Sequence, residues 1–172
     1  MIAAPIILPY RGIMPKIAPD AFIAPGAVIT GNVEIGPKAN IWFGCVIRGD
    51  VQSITIGAGT NVQDGTVIHV TRTDGPTIIG KGVTIGHSAL LHACILEDGC
   101  FIGMHATVMD QAVVESGAMV AAGALIAPGK RVLKGQIWAG NPGKYLRDLK
   151  PKEAEFIAIS ERNYIALAEE YK

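Results

Sequence analysis

The chain carries no excess of charge of either sign: 15 Lys and Arg stand against 15 Asp and Glu in 172 residues. Nucleic acid and anionic membranes are met by a basic surplus, so neither is expected as a partner. The adjacent pair Lys130-Arg131 is too small for a nucleic-acid footprint and reads as a solvated turn. The three cysteines, Cys45, Cys94 and Cys100, show no CxxC spacing, which argues against a disulfide framework or a thiolate metal site. Packed, reduced thiols suit a reducing compartment. No apolar run is long enough to span a bilayer. The apolar residues 2–8 are interrupted by Pro5 and preceded by no basic residue. No signal peptide is therefore expected, and the chain reads as cytoplasmic.

Neither helical nor strand alternation governs most of the chain; the period is six. From Ile17, aliphatic residues recur at Ile23, Ile29, Ile35, Ile41 and Ile47. The series resumes at Ile56, Val62 and Ile68, then at Ile79, Ile85 and Leu91, then runs from Leu96 to Val132. Four residues after each there is usually a small or β-branched residue, such as Ala27, Ala39, Cys45, Thr66 or Ala106. This period fits short strands joined by tight turns, three to a coil, in an all-β solenoid of the parallel β-helix type. The aliphatic residue points inward, the small one fills a corner, and Gly or Asn accepts the turn dihedrals. Crossover statistics alone would favour a right-handed coil.

The expected divisions are an N-terminal segment over 1–16, the β-helix over 17–137, and a turn with a C-terminal α-helix over 138–172. Gly140-Asn141-Pro142-Gly143 reads as the turn. Pro151 suits a first helical turn, and residues 152–171 form an amphipathic helix. Three places break the period. There are three extra residues between Ile47 and Ile56, five between Ile68 and Ile79, and one too few between Leu91 and Leu96. Insertions in a solenoid are expected as surface loops on the functional side.

Histidines lie beside these breaks. His69 follows the inward Ile68 and His92 follows the inward Leu91, as Arg48 follows Ile47. On equivalent strands of successive coils, Arg48, His69 and His92 form one outward column, with coils about 4.8 Å apart. Two imidazoles so spaced can converge on one metal ion with bonds of about 2.0–2.1 Å. His87 stands two residues after Ile85 and belongs to a different face or corner. It can complete the site from a neighbouring chain, across the axis of a cyclic trimer. Three imidazoles leave a coordination position open for water. Zinc is the expected ion, with iron(II) and cobalt(II) as alternatives that imidazole serves equally. His105 lies off the column and reads as structural, and Trp42 and Trp138 as packing residues.

The segments Arg48-Gly49-Asp50, Asn61-Val62-Gln63-Asp64, His69, and Gly86-His87 followed by His92 resemble the γ-class carbonic anhydrases. The resemblance runs from about Ile13 through the C-terminal helix. It implies the left-handed β-helix of hexapeptide-repeat proteins. It implies a homotrimer with a metal at each interface, held by His69 and His92 of one subunit and His87 of the next. The implied reaction is reversible hydration of carbon dioxide to bicarbonate by a metal-activated water. Gln63 and Asn61 are implied to orient that water or bicarbonate, and Tyr164 to reach the site from the helix. Arg48, Asp50 and Asp64 match charged contacts at the subunit interface.

Two features depart from the family pattern. Val51 stands where the prototype has a glutamate, and the loop over 71–76 is short with only Asp74 acidic. Proton transfer is therefore expected to be slow, or to use buffer or Tyr164. Gln63 and Asn61 also fit a second reading as turn-stabilising amides, and Tyr164 fits one as a packing residue. Two further function classes fit the repeat. One is an acyltransferase using coenzyme A, for which residues 140–144 resemble the segment that ends the coil. Such an enzyme needs one histidine as general base, not three that converge. The other is a non-enzymatic metal-binding assembly subunit.

Overall fold

The six-residue period folds into the three flat faces of a left-handed parallel β-helix of about seven coils. The computed structural model describes residues 4–73 and 75–172. One face stacks Ile6–Leu8, Val67–His69, Leu90–His92, Thr107–Val108 and Leu125–Ile126 in parallel register with the first halves of two long strands. Those long strands, Val28–Ile35 and Val46–Ile56, turn a corner and contribute their second halves to the next face. The third face runs from Phe22–Ile23 through Asn40–Ile41, Asn61–Val62, Thr84–Ile85, Phe101–Ile102 and Met119–Val120 to Gln136–Ala139.

The register is set by burial. Ile29, Ile47, Ile68, Leu91, Val108 and Ile126 are stacked on one another and fully buried. Successive side chains in a strand point to opposite sides, so the residue after each of them faces out. Truncating one of these stacked aliphatics to alanine would cost about 2–5 kcal/mol. The small corner residues, among them Ala39, Cys45, Ala89, Ala106 and Ala124, are equally buried. The three cysteines are free thiols in this interior. Burial pushes the Cys45 thiol up to about 11 and that of Cys94 up to about 12, so they pack as small apolar groups.

The three breaks in the period have three different outcomes. The first does not leave the coil as a loop. Gly31 pairs with Gly49 and Val33 with Ile54, so residues 50–53 stand opposite Asn32 as a bulge in a continuous strand. A bulge bends its strand and re-aims its side chains, and this one carries Asp50. The second leaves the coil at a bridge between Thr71 and Gly75. Asp74, expected as its acidic residue, lies outside the described residues. The third shortens a corner to Ala93 and Cys94, with Ala93 at φ 45°.

Two features extend beyond the sequence expectation. Ile6–Leu8 is already paired with the coil, so the first rung lies within residues 1–16. At the other end, Gln136–Ala139 forms an antiparallel hairpin with Lys144–Asp148 over the turn at 140–143. The helix Pro151–Glu170 follows. Arg147 grips Glu153 with two hydrogen bonds of 2.8 Å, and Glu153 accepts the Lys150 N–H at 2.8 Å. The helix crosses the third face, over Asn40–Ile41, Asn61–Val62 and Thr84–Ile85. Tyr164 meets Trp42 edge-on at 5.8 Å, and Phe156 meets Phe101 at 5.7 Å. No helix among the described residues is long and apolar enough to cross a membrane.

Candidate metal centre

His69 and His92 are register partners on adjacent coils. Because Ile68 and Leu91 are held inside, both imidazoles project from the same face. Nδ1 of His69 lies 3.2 Å from Nε2 of His92. Two nitrogens on a tetrahedral ion with bonds of about 2.0–2.1 Å stand about 3.3–3.4 Å apart, so the pair has the bite of a divalent-metal chelate. The other nitrogen of each ring is engaged by a carboxylate. Asp50 Oδ1 holds Nε2 of His69 at 3.0 Å, and both oxygens of Asp110 hold Nδ1 of His92 at 3.1 Å. A carboxylate in this position takes the ring N–H and turns the lone pair of the opposite nitrogen inward. Lone pairs facing each other at this distance repel unless a proton or a cation lies between them. The donor set therefore fits a cation.

The bulge that follows Ile47 explains Asp50. A Cβ on Gly49 would lie 2.6 Å from the Asn32 carbonyl oxygen, so only glycine lets the two coils approach there. Arg48 leaves the strand before it and folds back to an ion pair with Asp50. Partial burial works to raise the Asp50 carboxyl, but hydrogen bonds from His69 and Arg48 outweigh it and hold the group below the ordinary aspartate value. Arg48 and Asp50, expected as interface charges, thus form one chain of contacts with His69 within the subunit.

His87 lies at the corner after Thr84–Ile85, off the His69/His92 column. Its Nδ1 is held by Asp64 at 2.8 Å, with both side chains about two-fifths exposed. This leaves Nε2 for another partner. Among the described residues, no group of three or more His, Cys, Asp or Glu gathers around one point in a single chain. All three histidines share one arrangement: a carboxylate on one nitrogen and the second nitrogen turned elsewhere.

Gln63 and Asn61 are buried; Gln63 is 4% accessible and Asn61 fully covered. The helix over the third face covers them. Gln63 Nε2 donates to Asn61 Oδ1 at 3.0 Å, and Asn61 Nδ2 donates to Thr84 Oγ1 at 2.9 Å. Gln63 also opens on an apolar groove of about 310 Å³ with Met104, Met119, Phe101, Phe156 and Tyr164 in its walls. Tyr164 is half-buried; that burial, then the nearby charge of Asp64, raises its phenol above the ordinary tyrosine value. His105, Trp42 and Trp138 do not join the histidine pair. Trp42 is buried and donates to Asn40 at 2.8 Å, while Trp138 donates to Gln136 at 2.9 Å.

Residues 14–49 match the family described as bacterial transferase hexapeptide (six repeats). The carbonic anhydrase of Geobacillus kaustophilus is 42% identical over 167 residues, covering 97% of this chain and 91% of that protein. Gamma carbonic anhydrase 2, mitochondrial, of Arabidopsis thaliana is 48% identical over 160 residues, covering 90% of this chain. The chain belongs to the γ-class carbonic anhydrase family. It spans 58–62% of the length of the Arabidopsis γ-class relatives. The solved hexapeptide transferase family protein of Anaplasma phagocytophilum has a TM-score of 0.94 at 50% identity, covering 97% of this chain and 98% of that one. Two acyltransferases, one solved with coenzyme A and one with acetyl coenzyme A, are 16–17% identical at TM-scores of 0.51–0.59, and share the fold alone.

In this γ-class chain Asp110, the partner of His92, is not singled out by the sequence motifs. Its signal was present: an acidic residue one coil beyond His92, as Asp50 stands one coil before His69. Without the coil-to-coil register, which depends on how each insertion is absorbed, that signal does not separate Asp110 from other surface acids.

Proposed function

We propose that this protein is a homotrimeric carbonic anhydrase that interconverts carbon dioxide and bicarbonate. His69 and His92 of one subunit and His87 of its neighbour are the proposed ligands of one divalent ion, zinc first, with iron(II) or cobalt(II) as substitutes. The observation that supports this most is the 3.2 Å approach of His69 Nδ1 to His92 Nε2, with the opposite ring nitrogens on Asp50 and Asp110. When bound, the ion supplies Lewis acidity that brings a coordinated water to a pKa of about 7.

The rest is done by the chain. Asp50, Asp110 and Asp64 fix the tautomer and the aim of the three rings. Gln63, its amide steadied by Asn61, offers a carbonyl oxygen and one N–H to orient the reacting water or bicarbonate. The apolar groove beside Gln63 suits a nonpolar substrate. Tyr164 keeps its proton through the neutral range, so it serves as a hydrogen-bond donor and does not store the proton released by hydration. Val51 offers no carboxylate for that task, so buffer takes the proton.

Stopped-flow carbon dioxide hydration, with zinc and with anaerobically loaded iron(II), tests the proposal. Hydration above the buffer rate with one metal per chain, lost in His92→Ala, is the expected result. Full metal loading with no hydration would instead favour a non-enzymatic metal-binding subunit. Absence of bound metal would leave the acyltransferase reading.

A further inference from the structure

The amides of Asn61 and Gln63 are anchored on the third face, away from the His69/His92 column. The backbone carbonyl of Val83 can only accept, and it receives Asn61 Nδ2 at 3.4 Å. Thr84 Oγ1 accepts the same amide group at 2.9 Å. That use of the Thr84 lone pair leaves its hydroxyl hydrogen to go elsewhere, and it is donated to Ser160 Oγ on the helix at 3.0 Å. Thr84 and Ser160 are both buried, at 1% and 5% accessible, so water does not substitute freely for either partner. With its NH2 group committed to Val83 and Thr84, Asn61 can present only its oxygen to Gln63. Gln63 must answer with Nε2, as it does at 3.0 Å. Its carbonyl oxygen is then the acceptor turned away from Asn61.

We infer that Thr84 and Ser160 are positioning residues that set the orientation of the Gln63 amide through Asn61. The inference rests on the proposed role of Gln63 for its catalytic consequence, but the orientation itself does not depend on that role. Each link passes hydrogen-bond polarity in one direction: Gln63 to Asn61, Asn61 to Thr84, Thr84 to Ser160. Removing Ser160 Oγ strands the Thr84 hydrogen in a buried site. The hydroxyl then turns to donate, which leaves the longer 3.4 Å bond to Val83 alone to oppose the flipped Asn61 amide and with it the flipped Gln63 amide. The C-terminal helix would in this way deliver the last acceptor of a relay that ends at the reacting water.

The test uses the full-length protein with Ser160→Ala, Thr84→Val and the conservative Thr84→Ser. Side-chain amide signals of Asn61 and Gln63 in 15N-labelled metal-free protein are assigned by their loss in Asn61→Asp and Gln63→Glu. Ser160→Ala and Thr84→Val are expected to lower the exchange protection of both amides by about fivefold, the equivalent of one ordinary buried hydrogen bond. Thr84→Ser should restore it. In metal-loaded protein kcat for hydration should fall with KM unchanged, and Thr84→Ser should recover it. Folded Ser160→Ala protein with both amide signals and their protection unchanged would overturn the inference; the same variant serves if Thr84→Val does not fold. Amides that loosen while hydration is untouched, in these variants and in Gln63→Ala alike, would support the relay and remove Gln63 from the chemistry.

Discussion

Asp110 holds Nδ1 of His92 with both carboxylate oxygens at 3.1 Å from one coil beyond the histidine. Asp50 holds Nε2 of His69 through one oxygen at 3.0 Å, from the bulge one coil before it. The two carboxylates flank the facing imidazoles like brackets, and each fixes which nitrogen is left for a cation. Asp110→Asn keeps the shape but not the charge. It should weaken metal binding by about 10–100-fold without unfolding the protein. Chelator competition measures this; an unchanged affinity would mean that Asp110 is only a surface acid.

Gln63 is proposed for the chemistry and not for the metal, since an amide is a poor ligand beside imidazole. Gln63→Ala should leave metal content and trimer intact while lowering hydration. Loss of one preorganised donor typically costs about 10²–10³ in turnover. Because Gln63 is buried, the substitution also strands Asn61 Oδ1, and a stability loss of about 1–3 kcal/mol should accompany it. Parallel loss of metal and activity would make Gln63 structural instead.

Proton release should limit turnover. With Val51 in place of an acid, hydration is expected to rise with buffer concentration. Val51→Glu is not expected to mend this cheaply, because Val51 packs against the core and a carboxylate there would lower the melting temperature first. High, buffer-independent turnover in the unaltered protein would contradict this account of the proton's route.

Much of this was legible in the chain. The six-residue period dictated the coil, and the inward burial of Ile68 and Leu91 dictated that His69 and His92 share a face. That follows because burial fixes the strand register, and the register alternates side chains. The carboxylate partners were not legible as such. Asp50 reaches His69 because three extra residues are absorbed as a bulge, where the period alone suggested a loop. Asp64, expected at an interface, also holds His87 of its own chain, a pairing that the period does not reveal. The burial of Gln63 depends on where the helix docks, and the hairpin Lys144–Asp148 depends on pairing across a turn; neither is periodic.

The helix start gives a pH test. The Arg147 guanidinium, and then the Lys150 N–H, hold the Glu153 carboxyl down to about 2 from its ordinary 4.5. A carboxyl depressed in the folded state stabilises it fully above the unfolded value and loses that effect as pH falls toward the folded one. Glu153→Gln should therefore melt lower than the unaltered protein at pH 7, with the gap closing between pH 4.5 and 2. A gap that stays constant through that window would show that the ion pair contributes nothing.

The central claim is that each metal site draws on two chains, because His87 stands apart from the His69/His92 pair. Chains carrying His87→Ala and chains carrying His69→Ala are each expected to lose metal. Mixed under subunit exchange, they should regain it, since some interfaces then contain His69 and His92 from one chain and His87 from the other. Metal content of the isolated mixed trimers is the measurement. Recovery to about one intact site in a trimer holding both chain types is the predicted result; no recovery despite confirmed mixing would contradict the shared site.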